Sequence, residues 1–359
     1  MIRVLHVHGA MEKGGTESVI MNIYRNIDRN KFQFEFTKFN NIESAYDSEI
    51  ITLGGKFHQV KSRQEYGNLE HIKSLYRLFK QNKFDVIHTH MNFHGGIVAV
   101  IAKICGVRTV VCHAHSSSED DITFKRLLEI NFLKMLIRLF SDYQIACSEK
   151  AAEFCFFKNS KYNILTNAVD LKQYYPITSD INIENSNKIK IIHIGRFVPV
   201  KNHRGIIEIA KQLKRLNIDF EVSLLGEGEL MEEIQTMVEK YSLINYVNFL
   251  GIRSQINELL NEHDVCIMPS FYEGLPVALV EAQATGIPCI VSENVSSEVD
   301  MGLGNLYFVD VNDVNQWVKI IQQTYKNKIT DISFIEECFS NRGYNLDENI
   351  RKISKIYER

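Results

Sequence analysis

No stretch of this 359-residue chain approaches the ~18 uninterrupted apolar residues of a membrane span. The N-terminus, "MIRVLHVHGAMEKGG", has too short an apolar run before its Gly pair for a secretory signal, so the expected location is the cytoplasm. Charge of one sign is not in excess either. Lys and Arg number 41 and Asp and Glu 44, and the formal net charge of −3 argues against nucleic acid as the main partner. Cysteines are few: seven, at 105, 112, 147, 155, 266, 289 and 338, with no Cys-x-x-Cys and mostly in apolar contexts. That pattern reads as buried free thiols in a reducing compartment. No internal repeat or low-complexity tract interrupts the chain.

What is present is an ordinary globular balance, 45% apolar and 24% charged, at a length that suggests about two domains. Short apolar runs alternate with helical patterns throughout. The first half predicts strands at 2–8, 32–39, 85–90, 108–114 and 143–148, with helical spacing over 16–29, 68–82, 94–105 and 124–140. The second half restarts with strands at 188–195, 220–226, 246–251, 264–270, 288–293 and 305–310. Continuously apolar strands separated by helices imply parallel sheets covered on both faces, an α/β protein. "QYYPITSDINIENSNK" (173–188) reads as a linker between a domain 1–172 and a domain 189–334. A charged helical segment, 335–359, is expected to pack back towards the first domain. Two doubly wound domains joined this way place a cleft between two sets of strand C-terminal ends.

Four clusters fall at predicted strand ends. "GAMEKGGTES" (9–18) offers Gly14 and Gly15 for a bend and Thr16 as cap of a helix beginning near Glu17; it is neither Gly-x-Gly-x-x-Gly nor a Walker loop. "HIGRFVPVKNHRG" (193–205) holds Arg196 and Lys201 at a strand-to-helix junction, two cations suited to a diphosphate at a helix start. "LLGEGEL" (224–230) carries Gly226 and Glu227 in a turn that permits close backbone approach. "PSFYEGLPVALVEAQATG" (269–286) predicts a helix start at 275–276. Glu273 then stands before the helix and Glu281 inside it, with the amides of Gly274, Leu275 and Val277 aimed out of its N-terminus. Carboxylates there can accept from sugar or ribose hydroxyls. Each cluster taken alone also suits a plain turn or a solvated surface; their shared location is what points to a site.

The elements "GGTES", "HAHSSS", "ACSE", "GRFVPVKNH", "LLGEGEL", "FLGIR" and the Glu-x7-Glu of "EGLPVALVEAQATGIP" occur in one order over nearly the whole chain. In this it resembles the retaining glycosyltransferases of family 4, with the GT-B fold of two Rossmann-like domains, particularly the bacterial exopolysaccharide and capsule enzymes. The resemblance implies that Glu273 holds donor-sugar hydroxyls, Glu281 the nucleotide ribose, and Arg196 and Lys201 the diphosphate. Gly14 and Gly15 would close over the phosphates from the other domain, and Gly226, Glu227 and Arg253 would belong to the donor side. A histidine after a first-domain strand would lie against the sugar; register favours His115 over His113. One departure is Ala168 in "LTNAVD", where the family usually has glycine, which puts hinge detail in doubt.

The reaction so implied is metal-independent transfer with retention from a nucleotide diphosphate sugar, UDP-linked by family habit, to a saccharide or lipid-linked saccharide in capsule, exopolysaccharide or O-antigen synthesis. Charge on the departing diphosphate would be met by Arg196, Lys201 and a helix dipole, and the chain has no Asp-x-Asp to hold a metal. No metal or other cofactor is expected, and no protein nucleophile is named, Glu273 as a covalent nucleophile being the alternative to its positional role. "FKRLLEINFLKMLIRLF" (124–140) interleaves Lys125, Arg126, Lys134 and Arg138 with bulky apolar residues, as would either a helix lying on the cytoplasmic face of an inner membrane or a core helix with a solvated basic face. Two other readings fit the architecture. A nucleotide-sugar epimerase would consume donor without an acceptor, and a non-catalytic sugar-binding protein would show no turnover.

Overall fold

The computed structural model describes residues 1–12, 14–116, 123–177 and 188–359. These form two compact units, Met1–Ala168 with Leu346–Arg359, and Val169–Asn345. Residues 178–187 of the expected linker lie outside the described residues, as do Lys13 and the Ser117–Ser118 end of "HAHSSS".

The first unit is a seven-stranded parallel sheet of β1 (Ile2–Val7), β2 (Phe32–Lys38), β3 (Lys56–Gln59), β4 (Val86–Thr89), β5 (Thr109–Ala114), β6 (Tyr143–Ala146) and β7 (Asn163–Ile164). Their order is β3-β2-β1-β4-β5-β6-β7, so the chain reverses direction across the sheet between β1 and β4. Helices α1 (Gly15–Asn26), α2 (Asp47–Thr52), α3 (Arg63–Gln81), α4 (Gly95–Ile104), α5 (Phe124–Phe140) and α6 (Glu149–Cys155) make the crossovers. Two core clusters flank the sheet, one built on Leu5, Ile87, Val110 and Leu133, the other on Val4, Phe34, Phe36 and Val86. That is the period-2 alternation of strands buried on both faces. β3 was not anticipated; "KFHQ" is a half-exposed edge strand without an apolar run.

The second unit is a six-stranded parallel sheet of β8 (Ile189–Ile194), β9 (Phe220–Leu225), β10 (Val247–Gly251), β11 (Val265–Met268), β12 (Cys289–Ser292) and β13 (Leu306–Val309). The order β10-β9-β8-β11-β12-β13 repeats the reversal, here between β8 and β11. Its helices are α7 (His203–Arg215), α8 (Met231–Lys240), α9 (Ile256–Asn261), α10 (Val277–Ala284), α11 (Val314–Thr324) and α12 (Ile332–Asn341). Starts are fixed by side-chain caps where the sequence supplies them, as Asn202 on α7, Asp313 on α11 and Asp331 on α12.

The segment read as one piece, 335–359, is divided. In α12, Ile335 and Phe339 enter the core of the second unit, whereas α13 (Leu346–Tyr357) belongs to the first. There Ile353 and Tyr357 are fully buried, and the Tyr357 hydroxyl is 2.7 Å from Nδ1 of His88. All seven cysteines are free thiols, and five are buried.

Candidate active site

In open α/β sheets, ligands bind beyond strand C-terminal ends where the strand order reverses. In the second unit those ends are Ile194 of β8 and Met268 of β11, and the two following loops carry Arg196, Lys201 and Glu273.

The β8 loop is shaped by its neighbours. Gly226 has φ +132°, and a Cβ on it would overlap the Gly195 carbonyl; Gly228, at φ +158°, would strike Phe197 in the same way. Only glycine lets the β9 turn lie against the β8 turn. Backbone bonds then lock the two together, Gly195 N–H to the Leu225 carbonyl at 2.9 Å and Phe197 N–H to the Glu227 carbonyl at 3.0 Å. Phe197 is fully buried and stacks on His203 at 4.0 Å. Arg196, next to this anchor, is exposed and has no ion pair among the described residues. Gly226 N–H also donates to the Gly251 carbonyl at 3.0 Å, which sets the exposed Arg253 turn beside the exposed Glu227 turn.

Asn202 ties this loop to the next. In the left-handed region at φ 53°, it caps α7 through Gly205 N–H and donates from Nδ2 to the Pro269 carbonyl at 3.0 Å. Phe271 N–H returns a bond to the Val200 carbonyl at 2.8 Å. Across this joint the Lys201 ammonium forms an ion pair with the Glu273 carboxylate, both side chains largely buried. Glu273 is itself fixed by a bridge to Val295 and by Ser296 N–H donating to its carbonyl at 3.0 Å.

Gly274 and Leu275 lead into α10, whose first residue is Val277. The helix starts slightly later than expected, with Pro276 as the N-cap at φ −70° and ψ 113°. Glu281 lies one turn beyond Val277 on the same face and is half-buried. The second unit thus gathers Arg196, Lys201, Gly226, Glu227, Arg253, Glu273, Gly274, Leu275, Val277 and Glu281 along one sheet edge or the helix leaving it. Lys201 and Glu273 are in direct contact.

His193 lies beneath, its Nδ1 2.9 Å from the Ile267 carbonyl, and burial pushes its pKa well below the ordinary value. Burial likewise lowers His203 to about 4, so both rings are neutral at pH 7.

Gly14, Gly15 and His115 belong to the first unit. Thr16 is not the cap: α1 begins at Gly15 with Gly14 as N-cap and no side-chain bond. Neither glycine has a positive φ; what excludes a side chain at Gly14 is the Glu17 carboxylate folded over it, 3.0 Å from Nε2 of His8. Ala168 is buried without a positive φ, its carbonyl accepting from Asn22, so alanine meets the backbone's needs where the family usually has glycine.

His115 sits half-buried just past β5, with its amide on Oδ1 of Asn92 at 2.9 Å. It is one of a group of which motif reading anticipated only His113 and His115. "HVH", "HTH" and "HAH" end β1, β4 and β5, and the period of two sends both rings of each pair to one face. Two files of rings result. His6 Nδ1 meets His90 Nε2 at 3.0 Å and His90 Nδ1 meets His115 Nε2 at 2.9 Å; Tyr357, His88 and His113 form the other, His88 Nε2 lying 3.2 Å from His113 Nδ1. Burial pushes His6 and His113 down to about 3 and holds His88, His90 and His115 well below the ordinary value. The repeated His-x-His at strand ends was the signal that could have revealed them.

Residues 13–173 match the family described as Glycosyltransferase Family 4, and residues 176–339 match Glycosyl transferases group 1. EpsF of Bacillus subtilis (strain 168), named as a glycosyltransferase, is 34% identical over 99% of this chain and 96% of its own. The Escherichia coli UDP-Gal:alpha-D-GlcNAc-diphosphoundecaprenol alpha-1,3-galactosyltransferase is 26% identical over 81% of this chain and 79% of its own. Among solved structures, Anabaena HepE in complex with UDP-glucose superimposes with a TM-score of 0.78 at 18% identity, covering 99% of both chains. The chain belongs to the family 4 glycosyltransferases, enzymes of the GT-B fold.

Proposed function

We propose that this glycosyltransferase moves a sugar from a uridine diphosphate sugar to a saccharide or lipid-linked saccharide in cell-surface polysaccharide synthesis, with retention and without a metal. The observation that carries the reading is the Lys201–Glu273 pair at the switch point of the second sheet, beside the start of α10. Before donor binds, the two charges satisfy each other. A donor separates them, the diphosphate taking the Lys201 ammonium and the sugar hydroxyls taking the Glu273 carboxylate, while Glu281 accepts from the ribose.

The chemistry follows from the charges. As the anomeric bond breaks, negative charge grows on the leaving diphosphate. Lys201, Arg196 and the open amides at the start of α10 meet that charge without reorganising. The case for metal independence is this supply of fixed positive charge in a chain without Asp-x-Asp. Retention is assigned through attack on the face from which the diphosphate leaves, a phosphate oxygen taking the acceptor proton, so no enzyme nucleophile is named. His115 and the Gly14–Gly15 turn contribute from the first unit.

Two relatives support the substrate classes: UDP-glucose is bound by the Anabaena protein, and the E. coli relative is named for UDP-Gal and a diphosphoundecaprenol-linked GlcNAc. No helix among the described residues is long and apolar enough to cross a membrane. We assign peripheral contact with an anionic bilayer to α5, which exposes Phe124, Leu127, Leu128, Phe132, Met135 and Leu139 while burying Ile130, Leu133 and Ile137 on its opposite side. Lys125 and Arg138, both exposed, flank the apolar stripe.

The test is a transfer assay with a panel of UDP-sugars in excess EDTA, the product's anomeric configuration read by proton coupling in NMR. Turnover in chelator with an axial donor bond giving an axial product is expected. Abolition by EDTA with rescue by Mn2+, or an inverted product, overturns the metal-independent or the retaining assignment respectively. Donor consumed without acceptor and without release of UDP would favour an epimerase.

A further inference from the structure

We propose that His90, His113 and His115 form a binding site for a divalent transition-metal ion of the zinc class. Each offers a ring nitrogen, and the three nitrogens all lie within 4.8 Å of one another. A tetrahedral ion held at ~2.0–2.1 Å by three imidazoles sets its nitrogens about 3.3 Å apart. His90 Nδ1 and His115 Nε2 already stand 2.9 Å apart, so modest ring movement admits an ion in place of the proton they share.

A polar atom left unused points the same way. His113 is 2% exposed, and its Nε2 is buried without a hydrogen-bond partner among the described residues. Such an orphaned nitrogen is costly in a folded interior unless a ligand uses it. Two of the three opposite nitrogens, those of His113 and His90, are engaged as those of metal-binding imidazoles are. His113 Nδ1 is held by His88, itself held by the Tyr357 hydroxyl, and His90 Nε2 is held by His6 Nδ1.

The backbone under the site is fixed as well. Asn92 accepts from the His115 amide and donates to the Ser116 hydroxyl at 2.9 Å, and the Cys147 thiol rests on the His115 carbonyl. Burial keeps the rings neutral at pH 7, with lone pairs available. An all-imidazole donor set suits Zn2+, Co2+, Ni2+ or Cu2+ and is a poor match for Mg2+ or Ca2+, which take oxygen ligands.

His6, His88 and His90 make a second close triad, but all three are buried and no partly exposed member gives an ion a way in. His115 is half-buried at the strand ends and does. The consequence of the site rests on the reading above: an ion on His115, the residue assigned to the donor sugar, blocks transfer.

The experiment titrates the full chain with Co2+ and follows its visible absorption. One ion per chain with the intense bands of tetrahedral coordination is expected, displaced by Zn2+. His113→Gln and the more exposed His115→Gln should each weaken binding about 100-fold, with melting curves confirming that they fold. His58→Gln, outside the group, should bind as wild type does. Absence of a tetrahedral Co2+ spectrum in the wild-type chain, or binding that survives both substitutions in folded protein, overturns the site. Zn2+ inhibition of transfer is read separately. Binding without inhibition keeps the ion site and removes His115 from the donor sugar, whereas loss of transfer in the metal-free chain tells against the transferase mechanism alone.

Discussion

At the scale of single residues, Lys201 and Glu273 arrive from loops 72 positions apart and neutralise each other in a largely buried pair. Removing one partner leaves the other charge without its match. Glu273→Gln is therefore expected to reduce transfer at least ~100-fold and to lower the melting temperature, while the chain still folds because the amide oxygen still accepts from Lys201. Wild-type turnover by this variant in a steady-state assay would refute the role. Both residues were legible as motif members, since the sequence places them beside a turn and a proline. Their contact was not, because it depends on the Asn202 and Phe271 bonds that join the two loops.

The buried histidines of the second unit give a residue-scale prediction of opposite character. His193, His203 and His263 are all held below their ordinary value by burial, so when folded they take up protons at lower pH than in the unfolded chain. The sign follows: their share of stability is complete above about pH 6.5 and is lost as pH falls towards the folded pKa, which for His203 is about 4. Each adds up to about 1.4 kcal/mol per pH unit to the slope. Neither ring nitrogen of His203 has a partner among the described residues, and its ring stacks on Phe197. His203→Phe should thus be tolerated at pH 7 and should flatten the fall in melting temperature between pH 7 and 5. An unchanged slope in calorimetry would contradict this.

At the scale of elements, the parallel sheets and α5 were readable because apolar runs and 3.6-residue spacing are local. Close backbone approach is not. Gly96 of α4 would drive a Cβ into the Leu133 carbonyl of α5, and Gly226 would drive one into Gly195 from a left-handed φ. Gly226→Ala should cost about 2 kcal/mol or more in urea unfolding and weaken donor binding, because the Arg196 turn must shift. Gly14→Ala, where a flexible Glu17 side chain is the obstacle, should cost less. Equal costs would count against this account of the turns. The placement of α13 was only partly legible: its amphipathic pattern marks it as packed, but Tyr357 reaching His88 is a contact over 269 positions.

At the scale of the whole molecule, each unit presents its candidate site residues at the C-terminal end of its sheet. The apolar stripe of α5 adds a surface requirement. Leu128→Ser with Phe132→Ser should abolish flotation with anionic vesicles at low salt and leave transfer to a soluble acceptor unchanged; retained flotation would remove α5 as the contact. The central claim, that the second unit grips a diphosphate with Lys201 and a sugar with Glu273, is tested most directly by calorimetric titration of UDP and a UDP-sugar in chelator. Lys201→Met should weaken both ligands at least ~10-fold, about 1.4 kcal/mol. Glu273→Gln should bind UDP as tightly as wild type yet lose whatever affinity the sugar adds. Two variants that bind both ligands with wild-type affinity would contradict the account.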